Sequence, residues 1–417
     1  MSEPSVRIEQ VYLTLTITNT LAASFIWGVN TLFLLDAGLT NTEAFAANAF
    51  FTLGMVLFEV PTGVVADTRG RRFSFLLGTG TLLASTLLYL LMWQLRAPFW
   101  GWAVSSVLIG LGFTFFSGAM EAWLVDALQS SGFTGNLDTV FARAQVAGGV
   151  AMLAGSLLGG VVAQFSNLGV PYLLRAALLG GSALIAWRWM RDLGFVPDRD
   201  ATPRRAVRAV LDGAIEGGLR HRPVRWLMLA APFTAGTGIY VFYALQPHLL
   251  QLYRDPSAYS IAGLAAALVA GAQIVGGLVA PKVRGWFGRR TDALLLGGMV
   301  AVILLAGIGL TTNFWLALAL VAGWAMTSAI VTPLRQSFIN GEIPSAQRAT
   351  VLSFDSLMGS SGGVVVQPAL GRVADVAGYP ASYLGAAAIQ VLAIPFVLLA
   401  RRERAASDPI EAADHTA

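Results

Sequence analysis

Roughly twelve long apolar segments, each able to cross a lipid bilayer as a helix, dominate the sequence. Such a helix needs about 20 mostly apolar residues to cover a hydrocarbon core of about 30 Å. The segments occupy residues 12–36, 44–66, 73–95, 99–125, 140–165, 171–190, 226–252, 258–281, 292–312, 314–334, 350–374 and 381–400. Only 12% of the residues are charged, against about a quarter in soluble proteins. We therefore expect an all-α integral membrane protein, which excludes a soluble enzyme and a nucleic-acid-binding protein.

Basic residues gather on one side of the predicted helices. Lys and Arg accumulate in cytoplasmic loops, and a cytoplasmic N-terminus places most of the basic residues in such loops. They are Arg69, Arg71, Arg72, Lys282, Arg284, Arg289, Arg290, Arg348, Arg401, Arg402 and Arg404, with the cluster at 188–225. We therefore expect a multi-pass protein of the cell's inner membrane with both termini in the cytoplasm. The opposite end of the helices is called the predicted outer end below.

The segments form two sets of six that resemble each other. Gly70-Arg71-Arg72 recurs 218 residues later as Gly288-Arg289-Arg290, and Thr139-Val140 recurs 211 residues later as Thr350-Val351. Ordered matches at corresponding places indicate an internal repeat. We expect two pseudo-symmetric six-helix bundles, at 1–190 and 225–417, with substrate held between them as in many secondary transporters.

The polar connector at 191–224 contains an amphipathic pattern. Apolar residues recur at helical spacing, and charged residues take the other face. The apolar set is Val207, Val210, Leu211, Ala214 and Ile215, and the charged set is Arg204, Arg205, Arg208, Asp212 and Glu216. The pattern predicts a helix lying on the inner leaflet, where arginines meet anionic lipids. A solvated linker with some helicity is the alternative.

The loop after the second segment carries a motif, which reads Gly63-Val64-Val65-Ala66-Asp67-Thr68-Arg69-Gly70-Arg71-Arg72. It resembles the signature G-x-x-x-D-[RK]-x-G-R-[RK] of the major facilitator superfamily, with Thr68 at a usually basic position. The resemblance implies the twelve-helix fold of that superfamily and transport by alternating access. The string 155–160 resembles the superfamily's antiporter signature, with Ser156 in place of proline, and the strings 59–63 and 117–123 resemble its bacterial drug and metabolite exporters.

Five residues of this motif form a predicted conformational latch: Gly63, Asp67, Gly70, Arg71 and Arg72. Gly63 allows close packing and Gly70 allows a tight turn. Asp67 lies at an inner helix end, where the positive N-terminus of another helix would stabilise it. The eleventh segment begins on that side at Thr350, so we expect its N-terminus to be the partner. This contact between the bundles would hold the outward-open state.

Ionisable side chains inside the membrane are costly, so each is a candidate for function. Glu59 lies about two turns inside the inner end of the second segment, where burial favours a neutral carboxyl group. We expect it to carry a coupling proton, and a gating or packing role is the alternative. Five further charges lie near inner helix ends and are expected to form a network that closes the inner face: Glu121, Asp126, Arg143, Arg335 and Asp355. Arg175 is expected near an outer helix end.

The resemblance also implies that the first, fourth, seventh and tenth segments line the substrate cavity. On that plan the candidates are Asn19, Trp27, Asn30, Phe113, Phe116, Tyr240, Tyr243, Gln246, Trp324 and Thr327. Asn19, Trp27 and Asn30 are spaced close to one helix face. Such a cavity is aromatic and weakly polar, without arginine at mid-depth. It suits a lipophilic or cationic organic molecule better than a multivalent anion, which needs arginine partners.

The sequence therefore predicts a secondary active transporter that couples a proton gradient to efflux of small lipophilic or cationic, drug-like compounds. Uptake of a small nutrient or metabolite by proton symport is the alternative. There is no GxxxxGK[ST] loop and no cysteine, so we expect neither an ATP-driven pump nor a thiolate metal site. We expect a monomer that is not an enzyme, has no cofactor or metal, and binds its substrate, protons and membrane lipids.

Overall fold

A computed structural model describes residues 3–116, 118–198, 202–344 and 347–410. Ser117 of the exporter-like string and residues 199–201 of the connector lie outside the described residues. Over the described ranges the chain is helical, without a β-sheet; one isolated bridge pairs Arg289 with Pro409. The expected all-α class is confirmed.

The first half of the chain contains α1 (Glu3–Trp27), α2 (Asn30–Asp36), α3 (Asn41–Arg69), α4 (Arg71–Leu95), α5 (Phe99–Thr114), α6 (Ala119–Ser130), α7 (Leu137–Phe165) and α8 (Val170–Trp189). The connector contains α9 (Pro203–Gly213) and a π-helical turn (Ala214–Leu219). The second half contains α10 (Arg222–Tyr253), α11 (Tyr259–Arg284), α12 (Arg290–Leu310), α13 (Phe314–Glu342), α14 (Arg348–Val391) and α15 (Ile394–Arg402).

Ten stretches of the described chain are long and apolar enough to cross a membrane, or eleven if α1 and α2 count as one bent span. One of the ten, Thr350–Arg402, has 53 residues, which is enough for two spans of about 20 residues. It is interrupted at Gly378, where φ is 82°, between the predicted eleventh and twelfth segments. The helices are therefore consistent with the expected twelve.

Three predicted segments are interrupted; the twelfth passes from α14, which ends at Val391, to α15, which begins at Ile394. The first bends by 48° between α1 and α2, so Asn30 begins a new helix and does not continue the straight face that carries Asn19. Gly28, at this bend, lies close to α11, because a Cβ there would be 2.8 Å from the Cα of Gly263. The fourth segment is divided between α5 and α6, where Gly118 has a φ of 67° that L side chains rarely adopt.

The contacts divide the chain into two compact units. Unit one contains Met1–Leu39, Phe50–Val207 and Ser257–Ala267, and unit two contains Thr40–Ala49, Arg208–Pro256 and Leu268–Ala417. Unit one thus holds most of the first six-helix half together with the start of α11. Unit two holds the second half together with the start of α3. The predicted halves, 1–190 and 225–417, differ from the units by these exchanged helix starts and by the connector.

Each unit has its own apolar core. In unit one, α1, α4 and α6 bury Leu15, Phe75 and Leu124 against one another. In unit two, α10 and α13 bury Met228 and Phe338. Helix α9 of the connector is different, because none of its described residues is buried. Its contact with lipid stays a prediction.

Candidate functional site

The turn of the signature motif is built by Gly70, which separates α3 from α4. Its φ is 105°, a value that glycine adopts readily and L side chains avoid. Asp67, in the last turn of α3, forms an ion pair with Arg71, the first residue of α4. The Asp67 side chain is 48% exposed, and its contact with the start of the eleventh segment stays a prediction. A Cβ at Gly63 would have no neighbour within 4 Å among the described residues, so the expected close packing is not present at this position.

Arg72 attaches the segment that leaves α8 to this turn. Its backbone N–H donates to Asp192 Oδ1 at 2.9 Å, and its guanidinium donates to the carbonyl oxygen of Trp187 at 2.6 Å. The N–H of Asp198 donates to the carbonyl oxygen of Asp67 at 3.0 Å. Asp192 was not predicted, because it falls in the polar connector at 191–224, where the sequence does not show its partner.

The second copy of the turn makes an equivalent attachment. Asp408, which follows α15, accepts hydrogen bonds from the backbone N–H and the hydroxyl of Thr291, each at 2.9 Å. Arg290 donates to the carbonyl oxygens of Ser407 and Pro409. In both halves, an acid beyond the last helix caps the helix that follows the Gly-Arg-Arg turn.

The predicted inner-face network consists of separate pairs. Arg335 on α13 binds both carboxylate oxygens of Asp355 on α14, at 2.5 and 2.6 Å, and also donates to the carbonyl oxygen of Leu227 on α10. Arg143 on α7 pairs at 2.9 Å with Glu9 on α1, an acid that the sequence reasoning did not select. These pairs tie helices together within a unit.

The other two members of the network stand apart from these pairs. Glu121 is exposed in the first turn of α6, and Asp126 is half-buried one turn later. Neither takes part in the ion pairs formed by the described part of the chain. Within the described ranges, no ion pair therefore links Glu121 or Asp126 to the three other charges.

Glu59 lies in the interior of α3 and is half-buried. Its position is about 15 Å from the inner end of the helix at 1.5 Å per residue. Pro61 lies two residues further on, inside the same helix. The hydroxyl of Thr62 bonds back to the carbonyl oxygens of Phe58 and Glu59. The carboxyl group thus projects from the middle of a spanning helix rather than from its end.

The cavity candidates of unit one comprise two polar and three aromatic side chains. Asn19 is half-buried and accepts a hydrogen bond from the Ser182 hydroxyl at 3.0 Å. Asn30 is buried and accepts one from the Tyr172 hydroxyl at 2.9 Å. Three aromatic candidates are half-buried: Trp27, Phe113 and Phe116. The two polar candidates are thus hydrogen-bonded within the unit, and the contact of all five with substrate stays a prediction.

Unit two places its candidates at different depths. Tyr240 and Gln246 are buried, and the Tyr240 hydroxyl bonds to the Ser382 hydroxyl at 2.6 Å. Trp324 is also buried, whereas Tyr243 and Thr327 are half-buried. The contact of these side chains with a substrate stays a prediction.

Arg175 lies in the second turn of α8, near the helix end that the sequence indicated, but it is buried within the unit. Its side chain is buried, with 1% of the residue exposed. The guanidinium donates to the Thr86 hydroxyl at 3.0 Å and to the carbonyl oxygen of Ala22 at 3.3 Å, and it lies 5.6 Å from the centre of the Phe113 ring. It therefore connects α8 with α4, α1 and α5. The described residues contain no group of three or more His, Asp or Glu that could hold a metal ion.

The glycines of the antiporter-like string lie where α7 packs most closely against other helices. A Cβ at Gly155 would overlap Ser24, and one at Gly159 would overlap the carbonyl oxygen of Phe25, both on α1. A Cβ at Gly160 would lie 2.7 Å from the carbonyl oxygen of Tyr259 on α11. Small residues allow such approach of helix backbones in a membrane.

A family model agrees with these features. The model described as Major Facilitator Superfamily matches residues 12–291, which is more than half of the chain. The chain belongs to the Major Facilitator Superfamily. Membership places it among membrane transporters rather than enzymes. This superfamily member is also 23% identical, over 186 residues, to an uncharacterised MFS-type transporter of Methanocaldococcus jannaschii. That match spans 44% of the chain and 46%, about half, of the relative.

Solved structures of superfamily transporters share the fold. The nucleoside transporter NupG has a TM-score of 0.77 at 11% identity and covers 95% of this chain and 99% of its own. A bacterial homologue of the human lysosomal transporter Spinster has a TM-score of 0.71 at 17% identity and covers 99% and 100%. At these identities the likeness shows the fold alone.

Proposed function

We propose that this chain is a secondary transporter that works by alternating access and exports small lipophilic or cationic organic compounds in exchange for protons. The observation that carries the proposal is Glu59, a half-buried carboxyl group in the interior of spanning helix α3. A charge in a spanning helix is costly, so it is retained where it has a function.

Two other acids of the spanning helices form ion pairs that hold helices together. Asp355 is bound at both oxygens by Arg335, and Glu9 is bound by Arg143. We assign these two acids to holding helices together. We assign the coupling proton to Glu59 because it lies in the interior of a spanning helix, where protonation removes a charge that is costly to bury in apolar surroundings.

The substrate class follows from the side chains on the predicted cavity helices. The half-buried members are Asn19, Trp27, Phe113, Phe116, Tyr243 and Thr327. These offer aromatic faces, one amide and two hydroxyl groups, a combination that binds apolar and cationic molecules. The guanidinium of Arg175 is directed to Thr86 and Ala22, so we assign it to helix packing rather than to an anionic substrate.

Alternating access supplies the coupling. Substrate and proton each bind the two conformations with different affinities. Binding of one therefore shifts the population of the two conformations and so changes the affinity for the other. A proton that binds Glu59 in one conformation and leaves in the other links the proton gradient to substrate movement.

Transport into inside-out vesicles tests the proposal. The purified chain is reconstituted, a proton gradient is imposed, and accumulation of ethidium and rhodamine dyes is measured. We expect gradient-driven accumulation, and we expect Glu59→Gln to reduce it to the level of protein-free vesicles. Glu43→Gln is the matched control, because Glu43 lies in the first turn of the same helix and accepts bonds only from Thr40 groups there in the contacts described.

Two outcomes oppose the proposal. Full accumulation with Glu59→Gln would remove Glu59 from coupling. Absence of dye movement together with proton-driven uptake of a metabolite would favour import by symport. Nucleosides are a sensible first panel for that alternative, since one solved structure of this fold is a nucleoside transporter.

A further inference from the structure

The start of α3 is capped by an acid from the second half of the chain. Asp375, near the outer end of the eleventh predicted segment, accepts hydrogen bonds from the backbone N–H groups of Asn41 at 2.9 Å and Thr42 at 2.8 Å. It also accepts one from the Thr42 hydroxyl at 2.5 Å. The first N–H groups of a helix lack partners within it and carry partial positive charge. A carboxylate in this position forms charge-assisted hydrogen bonds.

The start of α11 is capped in a similar way by a residue of the first half. Gln164, in the last turn of α7, accepts hydrogen bonds through Oε1 from the backbone N–H of Ser260 at 3.3 Å and from its hydroxyl at 3.4 Å. This cap is a neutral carboxamide, and its hydrogen bonds are longer than those of Asp375. It is therefore the weaker of the two caps.

The internal repeat relates the two caps. Thr42 and Ser260 are 218 residues apart, the spacing that separates the two Gly-Arg-Arg turns. Gln164 and Asp375 are 211 residues apart, the spacing that separates Thr139 from Thr350. The repeat therefore builds the same contact twice, once with a carboxamide and once with a carboxylate.

A glycine accompanies each cap. A Cβ at Gly371 would lie 3.0 Å from the carbonyl oxygen of Asn41, and one at Gly160 would lie 2.7 Å from that of Tyr259. These glycines are also 211 residues apart. In both contacts, a glycine on the capping helix allows its backbone to reach the first turn of the capped helix.

We propose that the two contacts form a latch at the predicted outer end, with Asp375 as its stronger arm. The proposal rests on the alternating-access mechanism proposed above. Each contact joins a helix of one six-helix half to a helix of the other, so separating the halves at this end leaves both helix starts without their caps. The latch thus favours the state in which the outer end is closed.

This latch at the predicted outer end has a counterpart in the conformational latch predicted at the inner end from the signature motif. The second and eleventh predicted helices run in opposite directions, so the acid near the end of one can reach the start of the other. Asp375 of the eleventh caps the start of the second, and Asp67 of the second is predicted to meet the start of the eleventh at the inner end. Alternate making of these contacts would switch the transporter between its two states.

Cysteine labelling tests the latch without any substrate. The chain contains no cysteine, and Ala44, in the first turns of α3, is fully buried. We introduce Ala44→Cys and measure its reaction with a maleimide in detergent micelles. We expect slow labelling in this parent and about a tenfold higher rate when Asp375→Asn is added, as a loss of about 1.4 kcal/mol implies. Gln164→Ala is expected to produce a smaller increase.

Asp36→Asn is the matched control. Asp36 is an acid at the same end, but it accepts its hydrogen bond from the Trp93 indole of its own half, so we expect no change in labelling. Thr42→Ala removes one hydrogen bond and should raise the rate in a chain that still folds. An unchanged rate with Asp375→Asn, or an equal rise with Asp36→Asn, would overturn the latch. Neither result depends on whether dyes or protons are transported.

Discussion

The backbone N–H of Arg72, in the first turn of α4, donates a 2.9 Å hydrogen bond to the carboxylate of Asp192, which lies beyond the end of α8. Asp408 makes the corresponding bond to Thr291 in the second half. The Gly-Arg-Arg motif therefore does more than turn the chain between two helices. In each half it binds the segment that leaves the last helix, and so it closes the bundle on itself.

Removal of these caps tests their contribution to stability. We expect Asp192→Ala to lower the free energy of unfolding by about 1 kcal/mol, as helix caps typically do. Asp408→Ala should cost about 2–3 kcal/mol, because it leaves the N–H and hydroxyl of the buried Thr291 without their acceptor. Thermal unfolding in detergent measures both changes. Asp212→Ala, in an exposed ion pair with Arg208, is the control and should have little effect. Equal shifts for all three variants would contradict the assignment.

Gly70 and Asp192 should show energetic coupling. Gly70→Ala places a Cβ at a φ of 105° and into the Asp192 carboxylate, and we expect a loss of about 1–3 kcal/mol. Adding Asp192→Ala removes the overlapping atoms, so the two losses should sum to more than the loss of the double variant. A double-mutant cycle of unfolding temperatures gives the coupling. Strict additivity would show that the two residues act independently.

The Arg335–Asp355 pair should be needed as a unit. Asp355→Leu alone leaves the half-buried guanidinium without its bidentate partner, and we expect a loss of about 3–5 kcal/mol. Arg335→Met combined with Asp355→Leu removes both charges and should recover most of that stability. Unfolding temperatures of the single and double variants measure whether removing both charges restores the lost stability. If the double variant is as unstable as the single one, the pair is not a local tie between α13 and α14.

Gly159 should be more sensitive to an added methyl group than other helix glycines. A Cβ there overlaps the carbonyl oxygen of Phe25, which cannot move by a side-chain rotation, so we expect Gly159→Ala to cost about 1–3 kcal/mol. Gly180→Ala is the control. Its Cβ would have no neighbour within 4 Å, and the change should stabilise α8 by about 0.4–1 kcal/mol. Similar unfolding temperatures for the two variants would show that α1 and α7 can separate at no cost.

Local features of the sequence were sufficient for much of the fold. The apolar runs predicted the helices, because about 20 consecutive apolar residues are enough to cross a bilayer as a helix. The tight turn at Gly70 was predictable because the left-handed backbone region strongly favours glycine. The bends at Gly28 and Gly118 were not predicted, since a glycine inside an apolar run also occurs in straight membrane helices. Gly28 is distinguished only by its contact with Gly263.

The internal repeat also relates contacts that were not predicted from the sequence. Asp375 and Gln164 occupy equivalent places, but one is acidic and the other neutral, so comparing residue types did not relate them. Asp192 and Asp408 were overlooked because they lie beyond the last helix of each half. Glu9 was overlooked because it precedes the first apolar run. In each case the sequence does not show which distant group the side chain binds.

The sequence by itself determined a helical membrane protein with two related halves, and its motif indicated the superfamily. Helix length, turn geometry and loop charge are properties of neighbouring residues, which is why they can be read along the chain. The tertiary structure decided which acid meets which helix start or arginine. Asp375 and Thr42 are separated by 333 residues, and only the packing of α14 against the first turns of α3 brings a carboxylate within hydrogen-bonding distance of unpaired N–H groups.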